Sequence, residues 1–350
     1  MRILMIGPRL DVKGGVSELC NMMIEENHQD CEIIFRPSMN DKSLLGRIYH
    51  FFARIALFPG ERLFLRPDLV HIHFSHSLST WRKYVISALW RISGVPVIMH
   101  AHSSDYREYL PSLPWPLRGI AIRSIRKSNA LVVLSESWKD FYTDSCNLMD
   151  DEIYQMETPI AISDNALELE KTVLFSGRIG DRKGAIRLIQ AWSKIDKEER
   201  IGWRLLLTGD GEVRRAKDEI IALSVSNSVS VLGWVDEDTI CNLMERTSIF
   251  ALPSRNEGLP MSLLRAMSTG TAVITSPVGG IPEIVKDGNN GILVDPDDVG
   301  QISERLSILM NNQELRKKLS KNAIKTTESL DIRLYMPKMA KIWREVIELS

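Results

Sequence analysis

The sequence predicts an α/β protein of two Rossmann-like, doubly wound domains facing one another across a cleft. Three observations carry this reading. The chain has 350 residues, more than one ordinary hydrophobic core supports. Short apolar, β-branched runs alternate with helical stretches, the pattern of parallel sheets with crossover helices. That alternation runs in two series, separated by an acidic segment at residues 158–171 with Pro159 near its start.

In the first series, strands are expected at residues 3–7, 32–36, 69–74, 95–101, 130–134 and 153–156, with helices near 16–26, 44–58, 79–93 and 115–127. The second series places strands at 172–176, 203–208, 228–232, 248–252, 271–275 and 291–294. Its helices fall near 185–195, 213–223, 236–245, 260–269, 299–310 and 314–330. A last helix at about 333–349 follows without another strand. The resulting domains are 1–165 and 166–330, with 331–350 packing back toward the first. Doubly wound sheets bind ligands at the carboxyl ends of their strands, so the loops there are the place to look.

Composition narrows the class. A net charge of −1 and 44% hydrophobic residues describe an ordinary globular protein. No apolar run reaches the length of about 18 residues that a spanning helix needs. The opening Met1 to Gly7 reads as a buried strand rather than a secretory leader. Four scattered cysteines, Cys20, Cys31, Cys146 and Cys241, read as packing residues in a reducing cytoplasm. Charge is nevertheless uneven: residues 42–127 carry thirteen Lys and Arg against four acidic residues. Such a block is either a solvated face or a surface for an anionic partner.

Several loops carry chemistry. Gly177-Arg178-Ile179-Gly180-Asp181-Arg182-Lys183-Gly184 leaves a strand and enters a helix, so Arg178 and Lys183 either share one anion such as a diphosphate or are surface cations. Gly209-Asp210-Gly211 resembles a dinucleotide fingerprint but has Arg214 where the third glycine belongs, and is read as a tight turn. In Arg255-Asn256-Glu257-Gly258-Leu259-Pro260, Pro260 sits where a first helical position is expected. The helix it opens would present free N–H groups to an anion, and Glu257 would accept from sugar hydroxyls or simply face the helix dipole. The turns around Gly279-Gly280 and Asp287-Gly288 are read as scaffold. Gly14-Gly15 before the first helix is either a phosphate cradle or a flexible turn. All seven histidines lie in the first half. His71 and His73 share one strand face, yet no carboxylate pattern accompanies them, and no metal site is expected. His102 is the better candidate for touching substrate.

Taken in order, Gly14-Gly15, the His102 loop, Gly177-Arg178 with Lys183-Gly184, and Glu257-Gly258-Leu259-Pro260 resemble the retaining glycosyltransferases of family 4, which have the GT-B fold. The resemblance implies a sugar moved from a nucleotide-diphosphate sugar to a glycan or polyprenyl-linked acceptor, with retention and with neither metal nor cofactor. It assigns Gly14, Gly15, Arg178, Lys183 and Leu259 to the donor diphosphate, Glu257 to the donor sugar, and His102 to the reacting sugar. Gly209, Gly233, Trp234, Val235 and Arg265 then lie at the nucleotide on domain 166–330, and the acceptor belongs to domain 1–165. One residue departs from the pattern. Eight positions after Glu257 the family has a second glutamate that binds ribose, and this chain has Arg265, which is donor-only. That departure leaves a non-catalytic subunit as one alternative, and the shared architecture leaves a nucleotide-sugar epimerase as another.

In the first half, Leu44, Ile48, Phe51, Phe52, Ile55 and Phe58 form a helical stripe. Trp81-Arg82-Lys83-Tyr84, Trp90-Arg91 and Trp115 to Arg118 add aromatic and basic groups. These either pack the core or rest on anionic lipid at the inner face of the cell membrane. No nucleic-acid partner is expected.

Overall fold

The structure, a computed structural model, describes residues 1–12, 14–26, 30–38, 44–162 and 169–350, and the side chains of 44–50 and of 54 lie outside that description. Two compact units result: one comprises Met1–Pro159 with Ile332–Ser350, the other Ile160–Asp331.

The first unit runs β1 (Arg2–Gly7), α1 (Gly15–Glu25), β2 (Glu32–Pro37), α2 (Leu44–Leu65), β3 (Leu69–Phe74) and α3 (Leu78–Ile92). It continues through β4 (Val97–Ala101), α4 (Tyr106–Ser112), α5 (Trp115–Arg126), β5 (Ala130–Val133), α6 (Glu136–Cys146) and β6 (Ile153–Gln155). Its sheet is parallel, in the order β2-β1-β3-β4-β5-β6. Alternation along each strand divides the two faces. Val70, Ile72 and Phe74 of β3, with Val97, Met99 and Ala101 of β4, join one core with Tyr84, Trp90, Ile125 and Tyr142 from α3, α5 and α6. His71, His73 and His100 therefore point to the opposite face and are fully buried there.

The second unit runs β7 (Glu170–Ser176), α7 (Ala185–Lys194), β8 (Arg204–Thr208), α8 (Val213–Ala222), β9 (Val229–Gly233), α9 (Glu237–Arg246) and β10 (Thr247–Leu252). Then come α10 (Met261–Ser268), β11 (Ala272–Thr275), α11 (Ile281–Ile284), β12 (Ile292–Leu293), α12 (Val299–Asn311) and α13 (Gln313–Thr327). Its parallel sheet has the order β12-β11-β10-β7-β8-β9. The order reverses between β7 and β10, the place in a doubly wound sheet where ligands commonly bind at the strands' carboxyl ends. In the first unit the same reversal falls between β1 and β3. The last helix, α14 (Ile332–Glu348), returns to the first unit.

Every expected strand is present, with bounds shifted by at most a few residues. Three helices were not expected. In α6, Trp138, Tyr142 and Cys146 are buried at four-residue spacing, a periodicity diluted by Ser, Thr and Asp, which favour turns. α4 and α11 are short, at 7 and 4 residues. α2 continues through Pro59 to Leu65 instead of ending at 58. Proline removes one hydrogen bond there, but Phe58 is held edge-on against the Trp90 ring, centroids 5.0 Å apart. Pro260 is the cap rather than the first helical residue. Its ψ of 122° is extended, and its carbonyl accepts from the Leu263 and Leu264 N–H groups.

Trp90 closes the first unit's core, its ring against Phe58. Trp90→Ala should lower stability by about 3–5 kcal/mol, read by chemical denaturation.

Candidate functional site

The second unit gathers its site at the β7/β10 reversal. Lys183, just before α7, places Nζ 2.5 Å from Oε1 of Glu257 in the loop after β10, with side chains only 15% and 5% exposed. Two charges so far from water are costly unless they are paired, and each is the other's partner. The loops that carry them are stitched together by backbone. Arg255 N–H donates to the Arg182 carbonyl at 2.9 Å. Gly184, at φ 81°, lies so close that a Cβ would stand 2.1 Å from the Pro253 oxygen. Arg187, buried on α7, donates from Nη2 to the carbonyls of Asp181 at 2.9 Å and Pro253 at 3.4 Å. Nothing in the sequence distinguished Arg187, because a cation at an inward helical position reads as an ordinary amphipathic irregularity.

Glu257 is gripped from a further side. Gly279 has φ 57°, and a Cβ on it would come within 1.9 Å of the Glu257 carbonyl oxygen. Its neighbour Gly280 donates N–H to the Gly258 carbonyl at 2.7 Å. The turn read as scaffold thus sets the height of the Glu257 backbone. Asn290 steadies the following turn, accepting from Lys286 N–H at 2.7 Å and donating to the Ile284 carbonyl at 2.9 Å. Leu259 turns its side chain into a small apolar cluster with Ile160, Leu264 and Leu330, leaving its backbone at the entry to α10. Arg178 is exposed and makes no ion pair among the described residues. The Lys183 stem runs beside Gly177, with Cδ 3.6 Å from the place of a Cβ there.

The remaining strand ends of this unit are joined in sequence. Gly177 N–H donates to the Thr208 carbonyl at 3.1 Å, and Gly209 N–H to the Gly233 carbonyl at 2.7 Å. Trp234 is half exposed, and Val235 packs against the core. Arg265, on α10, does not point at Glu257. Its Nη1 lies 2.5 Å from Oε1 of Glu237 and donates to Sγ of Cys241 at 3.6 Å, both on α9.

In the first unit, Gly14 caps α1, and its carbonyl accepts from Ser17 and Glu18 N–H. Both Gly14 and Gly15 are exposed at the β1 end of the reversal. His102 follows β4, and its Nε2 lies 2.8 Å from Nδ1 of His73. Below them, His71 Nε2 lies 3.1 Å from His100 Nδ1, and Trp343 Nε1–H of α14 donates to His71 Nδ1 at 3.0 Å. One ring nitrogen each from His71, His73 and His100 falls within 4.8 Å of the others, close enough for a shared ion. Burial lowers the pKa of His71 and of His102 to about 3 and holds His73 and His100 well below the ordinary value. A second group was missed. His76 Nδ1 lies 2.7 Å from Ser103 Oγ, and its Nε2 lies 3.5 Å from Oδ2 of Asp105. Only the fold joins these residues, which leave two different strands.

Comparison with known proteins decides the family. Residues 160–326 match the glycosyl transferases group 1 family, and residues 24–161 match Glycosyltransferase Family 4. The chain is a GT-B glycosyltransferase of the family 4 type. Among curated relatives, the α-D-kanosaminyltransferase of Streptomyces kanamyceticus is 25% identical over 73% of this chain and 71% of its own. An α-1,4-N-acetyl-D-galactosaminyltransferase of Campylobacter jejuni, named for an undecaprenol-linked saccharide, is 26% identical over 72% and 68%. An uncharacterised glycosyltransferase of Methanocaldococcus jannaschii is 30% identical, but the match spans 49% of this chain and 48% of that protein. Anabaena HepE, solved with UDP and glucose, superposes with a TM-score of 0.77 at 16% identity, covering 99% of this chain and 100% of that one. Sucrose-phosphate synthase of Thermosynechococcus elongatus superposes at 0.81 with 17% identity, over 100% of both chains. At such identities the structural likeness establishes the fold.

The transferase's basic and aromatic helices divide between core and surface. Tyr84 and Trp90 are core residues rather than surface anchors. Lys83 is buried too, donating to Ser79 Oγ at 3.2 Å. Burial, aided by Arg82 and opposed by Cys20, lowers its pKa to about 7. Of the α2 stripe, Phe51, Ile55 and Phe58 are half-buried, while Phe52 is 61% exposed; the side chains of Leu44 and Ile48 lie outside the described residues. Beyond the expected end of this helix, Leu63 and Phe64 are exposed, as are Leu78 and Ile92 of α3 and Trp115 of α5, the last at 80%. No helix among the described residues is long and apolar enough to cross a membrane.

Gly279→Ala must push the Glu257 loop aside or strain the turn, at a cost of roughly 1–3 kcal/mol. Transfer activity should fall at least tenfold while thermal unfolding shows a still cooperative second unit.

Proposed function

We propose that this transferase is a retaining, metal-independent enzyme that moves a hexosyl-type sugar from a nucleotide-diphosphate donor to a glycan or lipid-linked acceptor. The buried Lys183–Glu257 pair at the β7/β10 reversal supports this reading most directly. It keeps a cation and a carboxylate ready at the entry to α10, whose first N–H groups and positive dipole end favour an anion. When donor binds, Lys183 turns to the diphosphate with Arg178, and Glu257 is released to accept from sugar hydroxyls. The anomeric carbon then breaks its bond to the diphosphate oxygen and forms one to the acceptor oxygen on the same face. The acceptor's proton passes to the departing phosphate. Cations and helix dipole stabilise the charge that builds on the leaving group. His102 is assigned to the transferred sugar, Gly14 and Gly15 to phosphate, and Gly209 and the Gly233–Val235 turn to the nucleotide.

Arg265 gives the alternative, a subunit with an impaired donor site, its one specific support. Its pairing with Glu237 means that Arg265→Glu by itself sets two carboxylates against each other and weakens α9–α10 packing. A uridine carrier is the first to test, since HepE was solved with UDP. In a panel of nucleotide sugars, one donor at 100 times its Kd should stabilise the protein by about 2.7 kcal/mol. Glu257→Gln should abolish that sugar's preference over the bare nucleotide diphosphate, and EDTA should leave turnover unchanged. A panel without any stabilising donor would favour the non-catalytic reading.

The acceptor's setting follows from the exposed apolar side chains of α2, α3 and α5. Arg62, Arg91, Arg118, Arg123, Arg126 and Lys127 lie on the same helices or at their ends. Apolar area ringed by cations suits an anionic lipid surface, where a polyprenyl-linked acceptor would lie. The transferase should co-sediment with vesicles containing phosphatidylglycerol at low salt and be released by 0.5 M salt, where the Debye length falls to about 4 Å. Trp115→Ser with Phe64→Ser should lower the bound fraction several-fold. Binding equal to that on neutral vesicles would remove the membrane from the proposal.

A further inference from the structure

The five-ring stack behind β3 and β4 has a direction. Trp343 Nε1–H is a donor only, and it donates to His71 Nδ1 at 3.0 Å. His71 must then carry its proton on Nε2. From there it donates to His100 Nδ1, 3.1 Å away, so His100 in turn carries its proton on Nε2. Burial keeps all four imidazoles neutral near pH 7, and a neutral ring has one N–H and one lone pair.

Within this cluster two buried nitrogens lack a hydrogen-bond partner, Nε2 of His100 and Nε2 of His73. Their rings are neighbours, with centroids 5.0 Å apart. Since His100 Nε2 bears a proton, a lone pair on His73 Nε2 makes the two complementary, whereas a second N–H would oppose it. His73 then carries its proton on Nδ1 and donates to His102 Nε2, 2.8 Å away. The same order argues against a metal in this cluster. His71 and His100 have both nitrogens committed, one accepting and one protonated, so neither ring offers a lone pair to an ion.

We infer that Trp343 is a positioning residue: through His71, His100 and His73 it fixes His102 as the Nδ1–H tautomer, which offers substrate a neutral hydrogen-bond donor. The group received is an oxygen acceptor, a sugar hydroxyl or carbonyl oxygen. His102 in this state cannot take a proton at Nδ1. The inference rests on the assignment of His102 to the transferred sugar for its functional meaning, while the tautomer itself is measurable without turnover.

The test is long-range 1H–15N correlation on the full chain with 15N-labelled histidine, at pH 7. His71 and His100 should appear as Nε2–H forms, and His73 and His102 as Nδ1–H forms. Trp343→Phe keeps the ring but removes the donor; His102 should then become a mixture of tautomers and kcat should fall on the order of tenfold, the worth of one hydrogen bond. His71→Gln retains one acceptor and one donor in series and should preserve the His102 signature, whereas His71→Leu should lose it. If Trp343→Phe does not fold, this glutamine–leucine pair decides alone. An Nε2–H form of His102 in the unmodified protein overturns the inference. So does an unchanged His102 signature in both Trp343→Phe and His71→Leu, or Zn2+ taken up at one equivalent with loss of the His71 and His100 N–H signals. If His102 has the expected form but no donor sugar perturbs it, the tautomer order stands and the sugar assignment fails.

Discussion

The pairing of β7 with β10 is the constraint on which the second unit's chemistry depends. These strands are neighbours in the sheet but are separated in sequence by two complete strand–helix excursions. Their following loops enter different helices, α7 and α10, after meeting at Gly184 and Pro253. A Lys–Glu pair set there is held by main-chain contacts rather than by its own attraction. That matters because desolvation offsets much of what a buried ion pair gains. Gly184 against Pro253, Arg187 across both loops and Gly279 against Glu257 supply the rigidity.

The first unit solves a comparable problem with neutral groups. Its histidines lie on the buried face of two adjacent strands, where a charge would be far more expensive than a dipole. Imidazoles suit such a place because each can pass on the polarity of the bond it receives. The indole on α14 sets the polarity of the His71–His100 bond, and the His73–His102 bond lies beside it with no hydrogen bond joining the two pairs.

Much of the architecture was legible because parallel strands buried on both faces read as short β-branched runs, and crossover helices keep a 3.6-residue period. Lys183 and Glu257 were also legible, since each lies in a loop directly after a strand. Their contact was not, because sequence order does not tell which strands neighbour one another. The same ignorance hid His76 with Ser103 and Asp105, and Trp343 with His71, 272 residues apart. Arg265 could be seen to depart from the family pattern, but its partner Glu237 lies on another helix. The α2 stripe and the aromatic groups of α3 left core and surface open, because periodicity identifies an apolar face without saying whether protein or solvent meets it; Trp90 and Tyr84 are core.

The return of α14 to the first unit bears on how the protein is made. Synthesis proceeds from the amino end, and domains ordinarily fold as they emerge. Here residues 1–159 leave the ribosome without the helix that covers one face of their sheet, and they wait while all of 160–331 is translated. During that interval the histidine face, where Met5 of β1 lies beside His71 of β3, lacks the helix that carries Trp343. The second unit, contiguous in sequence, is free to fold first. The first-made half is therefore the last completed, and its aggregation risk is concentrated in the time needed to translate 172 residues.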